Sequence, residues 1–131
     1  MKPLIRKVDC VRLYVSDLEA GLRFYRDQLG HEVIWHSATA IGLRLPESEA
    51  ELVIHTEEPR PETDLLVDSA DAAALQIEQA GGQIIVQPFD IQIGRCVVVE
   101  DPWGNSLVLL DMSKGLLATD AARNILGNIE P

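Results

Sequence analysis

The strongest constraint on this chain is that it repeats. Val15 and Gly30 lie fifteen residues apart, as do Val67 and Gly82, and the offset of 52 residues puts a strand end and a helix stop in register in two halves. Self-similarity at a fixed period means that one supersecondary unit is built twice, so it outranks any local reading. In the first half Val11, Leu13 and Val15 alternate with Cys10, Arg12 and Tyr14, the period of two that sorts a strand into faces. Ser16, with Glu19 three residues on, predicts a helix start; Leu18, Leu22, Tyr25 and Leu29 recur at helical spacing, and Gly30 supplies the stop. Extended segments follow at 32–36, 40–45 and 51–56. The first half therefore reads β-α-β-β-β.

Pro59 and Pro61 make 57–62 a linker, because proline cannot continue a helix. The pattern then returns: a strand at 63–67, a helix at 70–80 capped by Ser69 and stopped by Gly81-Gly82, and strands at 83–86, 95–100 and 106–111. Asp101-Pro102-Trp103-Gly104-Asn105 is the turn before the last strand, and a short helix is expected at 121–126. The expected organisation is one α+β domain over residues 1–131: module one at about 8–56, module two at about 63–111, and a tail at 112–131. A chain of 131 residues, 47% hydrophobic, can bury such a core without disulfides or a structural metal.

Eleven basic and 21 acidic side chains give a formal charge of −10, whereas phosphate contacts require a clustered basic surface. Nucleic acid is not an expected partner. No apolar stretch approaches the roughly 20 residues of a membrane-spanning helix, so no membrane partner is expected. Cys10 and Cys96 form no CxxC pair, and no apolar leader follows the N-terminus; a cytoplasmic protein is the expectation. The GxSxG elbow, the GxxxxGK[ST] phosphate loop, the GxGxxG fingerprint and the HExxH metal helix are all absent.

Three stretches carry a resemblance to a known family: Val15-Ser16-Asp17-Leu18 leading into Phe24-Tyr25-Arg26-Asp27-Gln28-Leu29-Gly30; Ala80-Gly81-Gly82; and Val99-Glu100-Asp101-Pro102-Trp103-Gly104-Asn105. The chain resembles the vicinal oxygen chelate superfamily of glyoxalase I, extradiol dioxygenases and bleomycin-resistance proteins over about residues 8 to 115. That resemblance implies paired βαβββ modules whose curved sheets surround a central cleft, and a homodimer. It also implies a metal on four side chains, where a divalent ion acts as a Lewis acid on neighbouring substrate oxygens. Carried over by motif spacing, those positions fall on Cys10, His55, Glu62 and Val108. Valine has no lone pair to offer, and the family's enzymes carry a carboxylate there. Cys10, His55 and Glu62 remain as a reduced set that could hold zinc, nickel or iron.

Strand parity puts Arg12 and Tyr14 with Cys10, and Asp64 with Glu62, on the faces that the resemblance turns to the cleft; Val108 and Leu110 share a face of the last strand. A charge in an enclosed site must be paired, so Arg12 is expected either to bridge to Asp64 or to await an anionic ligand. The leading expectation is a metal-independent pocket for a small organic ligand, lined by Cys10, Arg12, Tyr14, His55, Glu62, Asp64, Val108 and Leu110. The alternative is a metal-dependent lyase, isomerase or dioxygenase using Cys10, His55 and Glu62. A third is a metal-free enzyme whose acid or base is His55, Glu62 or Tyr14. Trp103 is expected to pack over its own turn.

Overall fold

The computed structural model describes residues 2–130, which gather into two compact units. One comprises Asp9–Thr63 with Ala118–Leu126; the other comprises Asp64–Leu117 with residues up to Val8 and from Gly127 onward. Both are built as the repeat requires.

In the first unit the order is β1 (Lys7–Tyr14), α1 (Leu18–Leu22), β2 (Val33–His36), β3 (Ala40–Arg44) and β4 (Glu51–His55), with a β2-β3-β4-β1 sheet in which β1 and β4 are parallel. The helix start is one residue later than expected: Asp17, not Ser16, is the N-cap, and its carboxylate accepts the Ala20 N–H at 2.9 Å. The α-helix is also shorter. From Arg23 to Gln28 the chain widens into a π-helical turn, with the Leu29 N–H donating to the Phe24 carbonyl at 3.1 Å. Ile41, Leu43 and Ile54 are buried on the helix side of the sheet, against Val15, Leu18, Leu22 and Tyr25. The opposite face carries Cys10, Ala40 and Val53 under the Trp35 ring. The indole fits there because position 42 is glycine; a β-carbon would collide with the ring.

The second unit repeats the order as β5 (Glu62–Leu66, whose first two residues belong to the first unit), α2 (Ala70–Gln79), β6 (Gln83–Ile91), β7 (Gly94–Glu100) and β8 (Ser106–Leu110), in a β5-β8-β7-β6 arrangement with β5 and β8 parallel. Ser69 caps α2 as expected, accepting the Ala72 N–H at 3.2 Å. Ala70, Ala73 and Ala74 form its buried stripe, closing on Val67, Val97, Val99 and Leu109. Each fully buried valine or leucine contributes about 1.5–3 kcal/mol relative to exposure. Gly82 ends the helix where a β-carbon would lie 2.7 Å from the Glu100 carbonyl oxygen, so glycine allows the chain to pass. Asp111 is buried beside the start of α2 and accepts N–H groups from Ala70 (2.8 Å), Arg95 (2.9 Å) and Ser113 (3.2 Å), and the Ser113 hydroxyl at 2.7 Å.

Two expectations are corrected. Residues 121–126 are not helical: β9 (Leu117–Thr119) and β10 (Ile125–Asn128) form a hairpin around a turn at Asp120. The Asp120 carboxylate accepts the N–H groups of Ala122 and Asn124, which diverts the backbone from helix, and Arg123 takes φ +69°. Trp103 does not pack over its turn, which is closed by Asp101 instead, and it is 83% exposed. The strand expected at 83–86 continues through Ile91, pairing with β7 through two register shifts.

Candidate functional site

The register of β1 and β4 decides what the first unit presents on the face away from α1. Cys10 lies opposite Glu51, Arg12 opposite Val53 and Tyr14 opposite His55, so the six alternate residues share one face. Ala40 pairs with His55 from β3 on the other side. The register sets Cys10, Arg12 and Tyr14, grouped by strand parity, beside His55.

Arg12 organises the polar half of that face. Its Nη2 donates to Glu57 Oε1 at 3.0 Å, and its Nε lies 3.7 Å from Glu62 Oε2. The second Glu57 oxygen accepts the Thr39 hydroxyl at 2.9 Å. Glu57 reaches further through its backbone, donating its N–H to His55 Nδ1 at 3.2 Å. Arg12 is therefore paired with Glu57 and Glu62, where the sequence expectation named Asp64 or an anionic ligand. Glu57 lies in the 57–62 linker, and no periodicity in the sequence singles it out.

His55 is only 3% exposed. Burial foremost, and then the Arg12 guanidinium, hold its pKa below the ordinary imidazole value, partly opposed by Glu57, Glu62 and Glu58. Its Nε2 is buried and has no hydrogen-bond partner among the described residues. Tyr14 stands edge-on to the ring, with centroids 6.2 Å apart and planes at 74°, and is itself exposed. Towards the apolar half, Trp35 donates its indole N–H to Glu51 Oε1 at 2.7 Å. Burial raises the Glu51 pKa, and the indole bond partly offsets this. Strand parity places Glu51 on this face, but its indole partner is set by pairing across β2, β3 and β4.

The remaining expected residues belong to the second unit, where Asp64 pairs in register with Val108, and Leu66 with Leu110. Asp64 and Leu110 are buried, and Val108 is half-buried. With Leu66, Val98 and Cys96 they make the sheet face away from α2 predominantly apolar.

A divalent ion does not fit this donor set. Val108 has no donor atom, Cys10 is buried in the apolar cluster under Trp35, and Glu62 is held beside the cationic Arg12. A fixed guanidinium beside the remaining donors opposes a second, doubly charged cation. Among the described residues no three His, Cys, Asp or Glu side chains gather into a group that could hold a metal.

Known proteins resemble the chain in fold and in local sequence. Methylmalonyl-CoA epimerase from Mycobacterium tuberculosis superposes with a TM-score of 0.68 at 18% identity, over 85% of this chain and 91% of that one, and so shares the fold. Homoprotocatechuate 2,3-dioxygenase from Brevibacterium fuscum gives a TM-score of 0.62 at 25% identity, over 84% of this chain and 37% of the larger enzyme. The protein CFP32 of Mycobacterium bovis, which its name assigns provisionally to the glyoxylases, is 51% identical over 39 residues; the match covers 29% of this chain and 15% of that protein. The Glyoxalase/Bleomycin resistance protein/Dioxygenase family model matches residues 7–109, and the chain belongs to that superfamily.

Proposed function

We propose that this protein binds a small organic molecule without the help of a metal, akin to the bleomycin-resistance members of its superfamily rather than to its metalloenzymes. The observation that carries this reading is the ion-paired Arg12. The third of the four positions that hold the family's metal is Glu62, which lies 3.7 Å from that guanidinium, and the fourth is Val108. Capture of a ligand needs complementary shape and a few directed polar groups, not a Lewis acid. The first unit supplies such groups on one sheet face: exposed Tyr14, half-buried Arg12 and buried His55, beside the apolar Val53, Ala40 and Trp35. The reading includes a cytoplasmic location and a homodimer. The first is supported by two buried cysteines outside any disulfide, and the second by the resemblance.

A thermal-shift screen of uncharged, cationic and anionic organic molecules, run in parallel with a chelator and with added zinc, nickel, cobalt or iron, tests the reading. Ligands that stabilise the protein equally in every arm are the expected result. Stabilisation that appears only in a metal arm overturns it in favour of a metal-dependent lyase, isomerase or dioxygenase.

A further inference from the structure

We infer that His55 is a preset hydrogen-bond donor for an uncharged carbonyl oxygen of the ligand, reached when the exposed Tyr14 side chain turns away from the imidazole. This deepens, and rests on, the reading of the chain as a metal-independent binding protein.

The tautomer follows from one bond. A backbone N–H can only donate, so the Glu57 N–H at 3.2 Å obliges His55 Nδ1 to keep its lone pair, and the neutral ring carries its proton on Nε2. That Nε2–H is buried and has no acceptor among the described residues. Buried donors in folded proteins nearly always find an acceptor, and an exception leaves room for one that a ligand can supply. The polar neighbours are already engaged: Glu57 takes Arg12 on one oxygen and Thr39 on the other, and Glu62 lies against Arg12 Nε.

Charge then selects the class of acceptor. A cation has nothing to offer an N–H donor. A carboxylate would compete with Glu57 and Glu62 for the single guanidinium and meet their repulsion. An uncharged carbonyl oxygen accepts the Nε2 proton and disturbs neither ion pair. Tyr14 is the neighbour free to move, since it is 43% exposed and its ring stands at 74° to the imidazole with centroids 6.2 Å apart.

Acetamide, acetate and acetamidinium have nearly the same shape and differ in charge and acceptor atoms, so each can be titrated into the full-length 15N-labelled protein. Long-range proton–nitrogen NMR of His55 should first show the Nε2-protonated tautomer. Acetamide should then move the Nε2 resonance saturably, with acetate and acetamidinium at least about tenfold weaker. His55→Gln, which keeps a donor, should retain acetamide binding seen on neighbouring amides, and His55→Phe should lose it. A proton on Nδ1, a stronger response to acetate, or no response to any probe overturns the inference. Metal bound through His55 would remove the underlying reading as well, whereas a metal-free protein that ignores acetamide removes only this inference.

Discussion

Arg12 and His55 bear opposite relations to charge on the same sheet face, and both make measurable differences. The guanidinium separates Glu57 from Glu62, so Arg12→Met leaves two carboxylates facing each other without a counter-ion. Because the pair is partly open to solvent, we expect a loss of about 1–3 kcal/mol in urea unfolding. Glu57→Gln in the same chain should restore part of it, which a purely steric role for Arg12 would not allow. His55 acts through its proton. Its folded pKa is held below the unfolded value of about 6.5, so the neutral ring's contribution is complete above that pH and is lost as pH falls towards the folded pKa. His55→Gln should flatten that part of the stability profile. Asp111 works in a lower window. Burial alone would raise its pKa, but the bonds from Ala70, Ser113 and Arg95 outweigh it and hold it below the usual carboxylate range. Its contribution is present above about pH 4 and lost as pH falls through the depressed folded value. Asp111→Ala should cost about 3 kcal/mol at neutral pH by stranding the buried Ala70 N–H and leaving Arg95 N–H and Ser113 without their acceptor.

At the scale of elements, legibility followed periodicity. The two N-caps, Asp17 and Ser69, stand 52 residues apart, the same offset that relates the strand ends and helix stops. Alternation places Cys10, Arg12 and Tyr14 on one face, and the β1–β4 register adds Glu51, Val53 and His55 to it. Side-chain chemistry that acts outside any period was not legible. The sequence predicts a helix at 121–126, yet Asp120-Ala121-Ala122-Arg123-Asn124 copies the bonding of Asp101-Pro102-Trp103-Gly104-Asn105. In both, the aspartate accepts N–H groups two and four residues on, the asparagine amide bonds back to it, and the fourth residue has positive φ. The D-x-x-x-N spacing was therefore the missed signal, hidden because Arg123 stands where the first copy has Gly104. This turn also ties the tail to β2 within its own unit, through the His36 N–H bonded to the Arg123 carbonyl at 2.9 Å. Asp120→Ala should speed amide hydrogen exchange at His36 and Asn124 while leaving β7 and β8 protected. Equal acceleration throughout would mean that the turn carries more than its own hairpin.

For the molecule as a whole, the duplication accounts for the architecture and its divergence accounts for the chemistry. The first unit kept polar groups on the sheet face away from its helix; the second has a predominantly apolar counterpart carrying Val108 and Leu110. The family resemblance could be read from motif residues, because turns and helix stops are fixed by local backbone demands. The state of the metal positions was only half legible. At the positions that the resemblance implies for a metal, Val108 lacks a donor in the sequence itself, but the pairing of Glu62 with Arg12 depends on where the 57–62 segment runs. The central proposal, that the protein binds its ligand without a metal, is tested most directly by metal stoichiometry. Untagged protein would be offered zinc, nickel, cobalt and iron, dialysed and measured by mass spectrometry, with His55→Ala alongside. The account predicts far less than one ion per chain in both proteins. Near-stoichiometric metal in the parent chain, lost in His55→Ala, would contradict it.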